Sequence, residues 1–508
     1  MTGPGAPTPT EPIRSRRVPP KASAMVESLR GLGYSPATAL ADIIDNSIAA
    51  GARAVHVRFH WEREWSRVTV IDDGCGMTEP DLERAMRLGD LSPVEERQAS
   101  DLGRFGLGLK TASFSQCRCL TVASSKGGIT SCFRWDLDVL AQGAGDEWLL
   151  LEGPASESES ALDVLQTLCA GTLVMWERMD RIITPGFSEQ DFLDLMDTVE
   201  CHLAMVFHRY IEGPRPRLVL TLNDRRIAPW DPFLRDHPAT WSSPVERIEA
   251  ASGKVEIQCH VLPHKDKLDT ETHERAAGPD GWTAQQGFYV YRNHRLLVAG
   301  SWLGLGKGRA WTKEEAYRLA RIRVDIPNAA DNEWRIDIRK STARPPVAVR
   351  AKLLRLAEHT MEKARKVFAH RGRIVTHAKA EPIVAGWRAE HFNGGIRYRI
   401  DTDHPAVRAV LDEAGDMAQA VRSMLRVIEE TIPVQRIWLD TAEAKETPRT
   451  GFSGQPPAEV DSVLRVLYRN LVSRKGLSPE QAKDQLKRTE PFQAYPELVD
   501  TLSLDGAP

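Results

Sequence analysis

The sequence predicts an α/β fold: a sheet with helices packed on one face, then a second α/β domain, then a small, mostly helical C-terminal domain. Three observations carry this. Strand-like runs at 54–60, 67–72, 119–124, 130–137 and 173–179 alternate with helical patterns that start at Ser35, Glu79 and Leu109. Strand signals return at 217–223, 254–262 and 287–299, after a helical stretch at 187–212. The tail from 384 holds one alternating strand, GIRYRID, among longer helical patterns. The expected domains are therefore an arm at 1–21, a first domain at 22–186, a second at 187–345, a connecting helix at 346–383 and a C-terminal domain at 384–508.

Composition narrows the classes. A chain of 508 residues is long enough for two or three domains. The net charge of −3 gives no global basic field, so contact with DNA would need a local patch. The seven cysteines are scattered and odd in number, which fits a reducing cytoplasm. Cys117 and Cys119 are too close for a usual zinc arrangement. No run of about 18 apolar residues predicts a membrane span. The N-terminus carries no apolar segment of the kind a secretory signal needs. Residues 1–21 are rich in Pro, Gly and Thr, with Arg14, Arg16, Arg17 and Lys21, and read as a disordered arm.

Three pieces between 37 and 110 carry the chemistry. The first is a helix with Ser35 as N-cap and Pro36 at its first position. Leu40, Ile43, Ile44 and Ile48 form its apolar stripe. Asp42 and Asn46 sit four apart and project from one side, while Asp45 is turned away from them by its position on the helix. The carboxylate can polarise a water, and the carboxamide oxygen can hold a hard cation such as Mg²⁺. The same residues also suit an ordinary surface helix. The second piece is a strand running into Asp72-Asp73-Gly74-Cys75-Gly76-Met77. Its glycines allow close backbone approach to a flat ligand, and an Asp can accept from an exocyclic amine. A simple loop or a metal site would read alike. The third piece, Gly103-Arg104-Phe105-Gly106-Leu107-Gly108-Leu109-Lys110, fits a phosphate cradle at a helix N-terminus, with Lys110 as a point charge. Many glycine turns bind nothing. This one is neither a P-loop nor a dinucleotide fingerprint.

Taken in order, these pieces resemble the GHKL ATPases: gyrase B, heat-shock chaperones, histidine kinases and MutL. Gly171-Thr172, before the strand-like LVMWERM, resembles the family's box that closes the pocket. The resemblance is strong over 23–180 and weaker to about 345. ALADIIDNS and GLGLKTASFS look most like MORC-type and MutL-like ATPases. The fold this implies is a Bergerat-type ATPase sandwich followed by a transducer domain. The hairpin GFYVYRNHRLLVAGSW resembles the transducer's edge hairpin.

Residue by residue, the resemblance implies that Asp42 is the general base and that Asn46 binds Mg²⁺ bridging the phosphates of ATP. Asp72 would accept from the adenine amine, and Gly74, Gly76 and Met77 would line the base pocket. Gly103, Phe105, Gly106, Leu107 and Gly108, with Lys110, would hold the phosphates under a lid at 88–104. Thr172 would reach the adenine side. A basic residue of the transducer would contact the terminal phosphate: Lys340 first, Arg339 next, and Lys307 third. Most relatives carry Glu where this chain has Asp42. The shorter side chain loses roughly 1.5 Å of reach, so binding is expected to survive and hydrolysis to be slow.

The remaining segments are plainer. Gly143 to Ser160 reads as an acidic, Ser-rich exposed loop. His202 and His208 lie on a helix with an apolar stripe and read as packing histidines. The 346–371 stretch is amphipathic and reads as a connecting helix against the transducer, or as a dimer or DNA contact. MutL's endonuclease motif and a TOPRIM-like acidic set are absent, which argues against a nuclease or single-chain topoisomerase. The resemblance implies an ATP-driven switch that forms a homodimer and acts on DNA, with proteins of bacterial restriction or phage defence as expected partners. A chaperone-like ATPase acting on protein, or an ATP-binding module without turnover, is the alternative.

Overall fold

The computed structural model describes residues 16, 20–89, 108–142, 147–337, 340–369, 384–392, 395–437, 458–473, 475–489, 492 and 496–503. They divide into two compact units, Met1–Arg373 and Ile374–Pro508. Most of the lid segment lies outside the described residues, as do Gly103, Phe105, Gly106, Leu107, Arg339 and nearly all of the N-terminal arm.

The first unit begins with an eight-stranded mixed sheet. Its strands are β1 (Ala54–His60), β2 (Arg67–Asp72), β3 (Cys119–Lys126), β4 (Ile129–Asp136), β5 (Leu151–Glu152), β6 (Ala170–Glu177), β7 (Val219–Leu222) and β8 (Arg225–Arg226). Their order is β5-β4-β3-β6-β2-β1-β7-β8. Strand alternation divides the apolar residues between two faces. Val68, Val70, Leu120, Val122, Val174 and Trp176 face the main core, which includes residues of helices α1 (Ala22–Leu29), α2 (Pro36–Ala49), α3 (Glu79–Met86), α4 (Gly108–Phe114), α5 (Leu137–Gln142) and, past α6 (Asp163–Gln166), α7 (Glu189–Val206).

The opposite face is not bare. Ile71, Ala123, Leu173 and Met175 pack there with Leu165 of α6, and Leu162 and Leu168 lie against them. The insertion expected as an exposed loop therefore reaches this cover: its Ser158 is buried and donates to Glu177. Four apolar side chains on that face need shielding, and the 158–168 stretch supplies it.

The domain boundary also differs from expectation. Strand β7 pairs with β1 in parallel, Ala54 opposite Val219, so residues 187–227 complete the first sheet rather than open the second domain. The second sheet holds β9 (Trp241–Ser242), β10 (Glu246–Ala250), β11 (Gly253–Val261), β12 (Gly287–Arg292), β13 (Arg295–Ser301) and β14 (Ala320–Ile326), in the order β10-β11-β14-β12-β13, with β9 beside β11. The expected hairpin β12–β13 lies at its edge. Asn293 and His294, both at positive φ, form its two-residue turn, the backbone that a tight hairpin requires.

The two sheets share a core. Tyr289, Tyr291 and Leu296 join Phe207 and Phe233, and His208 Nε2 meets the Tyr291 hydroxyl at 2.8 Å. His208 is wholly buried, and burial lowers its pKa. The helix Val347–Ala369 buries Val349, Leu353, Ala357 and Ala364 and packs on β11 and β14.

The second unit contains β15 (Trp387–Phe392) paired with β16 (Gly395–Ile400), and a helical cluster around Leu464, Leu467, Leu471, Leu486 and Phe492. Two helices follow, Pro405–Glu413 and Ala418–Glu430, separated at Gly415, which takes φ +46°. No helix among the described residues is long and apolar enough to cross a membrane. None of their His, Cys, Asp and Glu side chains form a metal-binding group of three.

Candidate active site

Helix α2 starts as its sequence predicts. The Ser35 hydroxyl accepts from the Thr38 amide, and the Thr38 hydroxyl accepts from the Ser35 amide at 3.0 Å, a reciprocal capping box. Leu40, Ile43 and Ile44 are buried in the core, which fixes the rotation of the helix. That rotation buries Asp42 and Asp45 and leaves Asn46 exposed.

Both oxygens of Asp42 have a donor. The Tyr34 hydroxyl donates to Oδ2 at 2.9 Å, and the Lys340 ammonium to Oδ1 at 2.9 Å. Burial, then the adjacent Asp42 carboxylate, raises the Tyr34 pKa, so the phenol stays a neutral donor. Gly108, the last glycine of the third motif, lies against this carboxylate: a Cβ there would sit 4.0 Å from Asp42 Oδ2. The first and third motifs thus meet at Asp42.

The second motif joins the same helix one residue beyond Asn46. Ser47 donates to Asp72 Oδ2 at 2.7 Å, and the Gly74 amide donates to Oδ1 at 2.9 Å. Burial raises the Asp72 pKa, and these two hydrogen bonds oppose it. Gly76 takes φ +62°, and a Cβ there would fall 2.0 Å from the Ser125 carbonyl oxygen, so only glycine fits. The Met77 amide donates to Ser124 Oγ at 2.9 Å, and Ser124 Oγ lies 2.9 Å from Thr172 Oγ1. Thr172 itself pairs with Asp72 across β2 and β6. Asp72, Gly74, Gly76, Met77 and Thr172 therefore converge, as the order of the motifs predicts. A partly desolvated carboxylate beside close backbone suits a planar base bearing an amine.

Lys110 lies at the start of α4, and its side chain is buried. Its ammonium donates to the carbonyls of Ala85 at 2.8 Å and Arg87 at 2.7 Å, at the C-terminal end of α3. Asn46, exposed one turn beyond Asp42, presents the hard carboxamide oxygen that Mg²⁺ accepts, so the residue types fit that ion.

The second sheet's domain reaches this site. Asp337 accepts from the amides of Ser341 and Thr342, both at 2.7 Å, and from the Ser341 hydroxyl. These bonds outweigh its burial and hold the Asp337 pKa low. They close a tight turn in which Lys340 takes φ +54°. From there Lys340 reaches Asp42 and also Asp45 Oδ2, at 2.6 Å. Lys307, the third candidate, instead pairs with Glu358 at 2.6 Å.

Sequence reasoning missed Asp45 and Arg295. Asp45, set aside as facing elsewhere, is 1% exposed and touches the same lysine as Asp42, its neighbour three residues earlier on the helix. Arg295, from the hairpin, donates through Nε to Asp45 at 3.0 and 3.2 Å and through Nη1 to the Leu296 carbonyl. Burial alone would raise the Asp45 pKa; Arg295 and Lys340 outweigh it and lower it. A cavity of about 290 Å³ adjoins this array, lined by Thr38, His202, Arg295, Lys313, Lys340 and Ser341 among others. Burial, then Arg295, pushes the His202 pKa down to about 4.

Comparison with known proteins adds two findings. Residues 34–172 match the family described as histidine kinase-, DNA gyrase B-, and HSP90-like ATPase. The chain is also similar to ATPase morc-1 of Caenorhabditis elegans, at 30% identity over 112 residues; that alignment spans 22% of this chain and 13% of the relative.

Proposed function

We propose, from the match of residues 34–172 to the histidine kinase-, DNA gyrase B- and HSP90-like (GHKL) ATPases, that the chain is an ATP-driven conformational switch that dimerises on binding ATP and hydrolyses it slowly. The observation that carries this is Lys340 Nζ at 2.9 Å from Asp42. A cation anchored in the second sheet's domain stands beside the residue that would activate water. A charge that also contacts the terminal phosphate gives the ATP and ADP states different energies, which is what a switch needs.

In this reading Asp72 accepts from the adenine amine, and the turn at Gly74–Gly76, with Met77 and Thr172, lines the base. The glycines ending at Gly108 approach the phosphates. Mg²⁺, held by the Asn46 carboxamide oxygen, would offset phosphate charge when bound. Asp42 takes a proton from the water that attacks the terminal phosphorus, and ADP leaves with the bridging oxygen. Slow turnover is favoured by the short aspartate and by the two donors already on it.

DNA is the proposed client, supported by the resemblance of the sequence motifs to MORC-type and MutL-like ATPases. Two measurements on the full chain test the proposal. Sedimentation at micromolar protein should show a dimer with a non-hydrolysable ATP analogue and a monomer with ADP. Phosphate release should rise when duplex DNA is added. A monomer with the analogue bound would overturn the dimer, and a rate indifferent to DNA but raised by unfolded protein would favour a chaperone-like client.

A further inference from the structure

The array around Lys340 contains more than a sensor and a base. Two carboxylates, Asp42 and Asp45, face two cations, Lys340 and Arg295, and the four charges cancel. The side chains of Asp45 and Arg295 are 1% and 5% exposed. A carboxylate buried so deeply cannot be left without a counter-ion. If Lys340 moves to a terminal phosphate, Asp45 still has Arg295 on both of its oxygens. If Arg295 were absent, Lys340 would be the only cation on Asp45 among the described residues and would be held there.

We propose that Arg295 is a positioning residue for the ATPase reaction: by neutralising Asp45 it allows Lys340 to leave the Asp42–Asp45 pair for the terminal phosphate, which exposes Asp42 to water. This rests on the nucleotide site proposed above and adds the device that controls it. Asp45 is the resting seat of Lys340, and Arg295 sets how tightly that seat holds. Lys340 and Arg295 both line the 290 Å³ cavity, so each side chain borders open space. The exchange also links the sites mechanically. Arg295 follows the tight turn of the β12–β13 hairpin, so a shift of that edge alters the grip on Asp45 before it touches the nucleotide.

The test compares wild type, Arg295→Met and the double variant Asp45→Asn/Arg295→Met, with melting curves to confirm folding. Two quantities are read: single-turnover hydrolysis of Mg-ATP, and the ratio of affinities for a non-hydrolysable ATP analogue and ADP. Arg295→Met should lower both by about tenfold or more, because Lys340 is trapped on a lone buried carboxylate. The double variant removes that carboxylate and should return both to within about threefold of wild type. A merely structural role for Arg295 predicts no such rescue. A double variant as impaired as Arg295→Met would overturn the inference. If Arg295→Met does not fold, the double variant decides alone: loss of its triphosphate preference is the contradicting result. Wild type that binds neither nucleotide would remove the ATPase reading itself. Wild type that prefers the triphosphate, with no difference among the variants, would remove only this inference.

Discussion

Asp42→Asn should reduce single-turnover ATP hydrolysis by about 10²- to 10⁴-fold, the usual contribution of a positioned general base. Affinity for the nucleotide should change little. The substitution keeps an oxygen for the Tyr34 hydroxyl, which donates to Asp42 at 2.9 Å. Lys340 retains Asp45 at 2.6 Å, so its ammonium is not stranded. The loss should therefore fall on the chemical step and not on the fold. Phosphate release from a pre-bound nucleotide, followed over one turnover, reads this directly. Equal rates for Asp42→Asn and wild type would take Asp42 out of the mechanism.

Gly76→Ala should destabilise the protein by about 2 to 5 kcal/mol and abolish nucleotide binding. The control is Gly127→Ala. Both glycines have φ +62°, so both substitutions force an L-residue into the left-handed region, at about 1 to 2 kcal/mol. They differ in what the new methyl meets. At Gly127 nothing lies within 4 Å, whereas at Gly76 the Ser125 carbonyl oxygen is 2.0 Å away. That carbonyl belongs to β3, a central strand that cannot retreat without breaking its pairing with β4 and β6. The difference between the two variants in denaturant unfolding isolates the overlap. Equal losses would mean that the turn after β2 yields and that glycine is needed there only for its backbone.

The sequence makes some of this site legible and hides the rest for identifiable reasons. Asp42, Asp72, Gly76 and Thr172 stand in short motifs; Asp72 pairs with Thr172, Gly76 lies close to Gly171, and Gly108 lies against Asp42. Lys340 is legible only through the family resemblance, which implies a basic residue from the second domain; no local pattern reports its contacts with Asp42 and Asp45. Asp45 is missed because helical spacing was read only at four residues; at three it shares a ridge with Asp42. Its partner Arg295 lies 250 residues away, and no local pattern reports a contact of that separation. The same limit hides the pairing of β7 with β1, which extends the first sheet beyond its expected boundary. The cover of the sheet's second face is masked by its acidic, Ser-rich start. Leu162, Leu165 and Leu168, three apart, are the signal within it.

Equilibrium binding of a non-hydrolysable ATP analogue to wild type and to Asp72→Asn, with the guanine counterpart as competitor, tests the central claim most directly. Asp72 has Ser47 at 2.7 Å and Gly74 at 2.9 Å, and Asn can still accept from one of them, so the local turn should hold. The account predicts that wild type prefers the adenine compound and that Asp72→Asn binds it about 10- to 100-fold more weakly, the worth of a hydrogen bond to a charged group. Undiminished binding by Asp72→Asn, with the base preference intact, would contradict it.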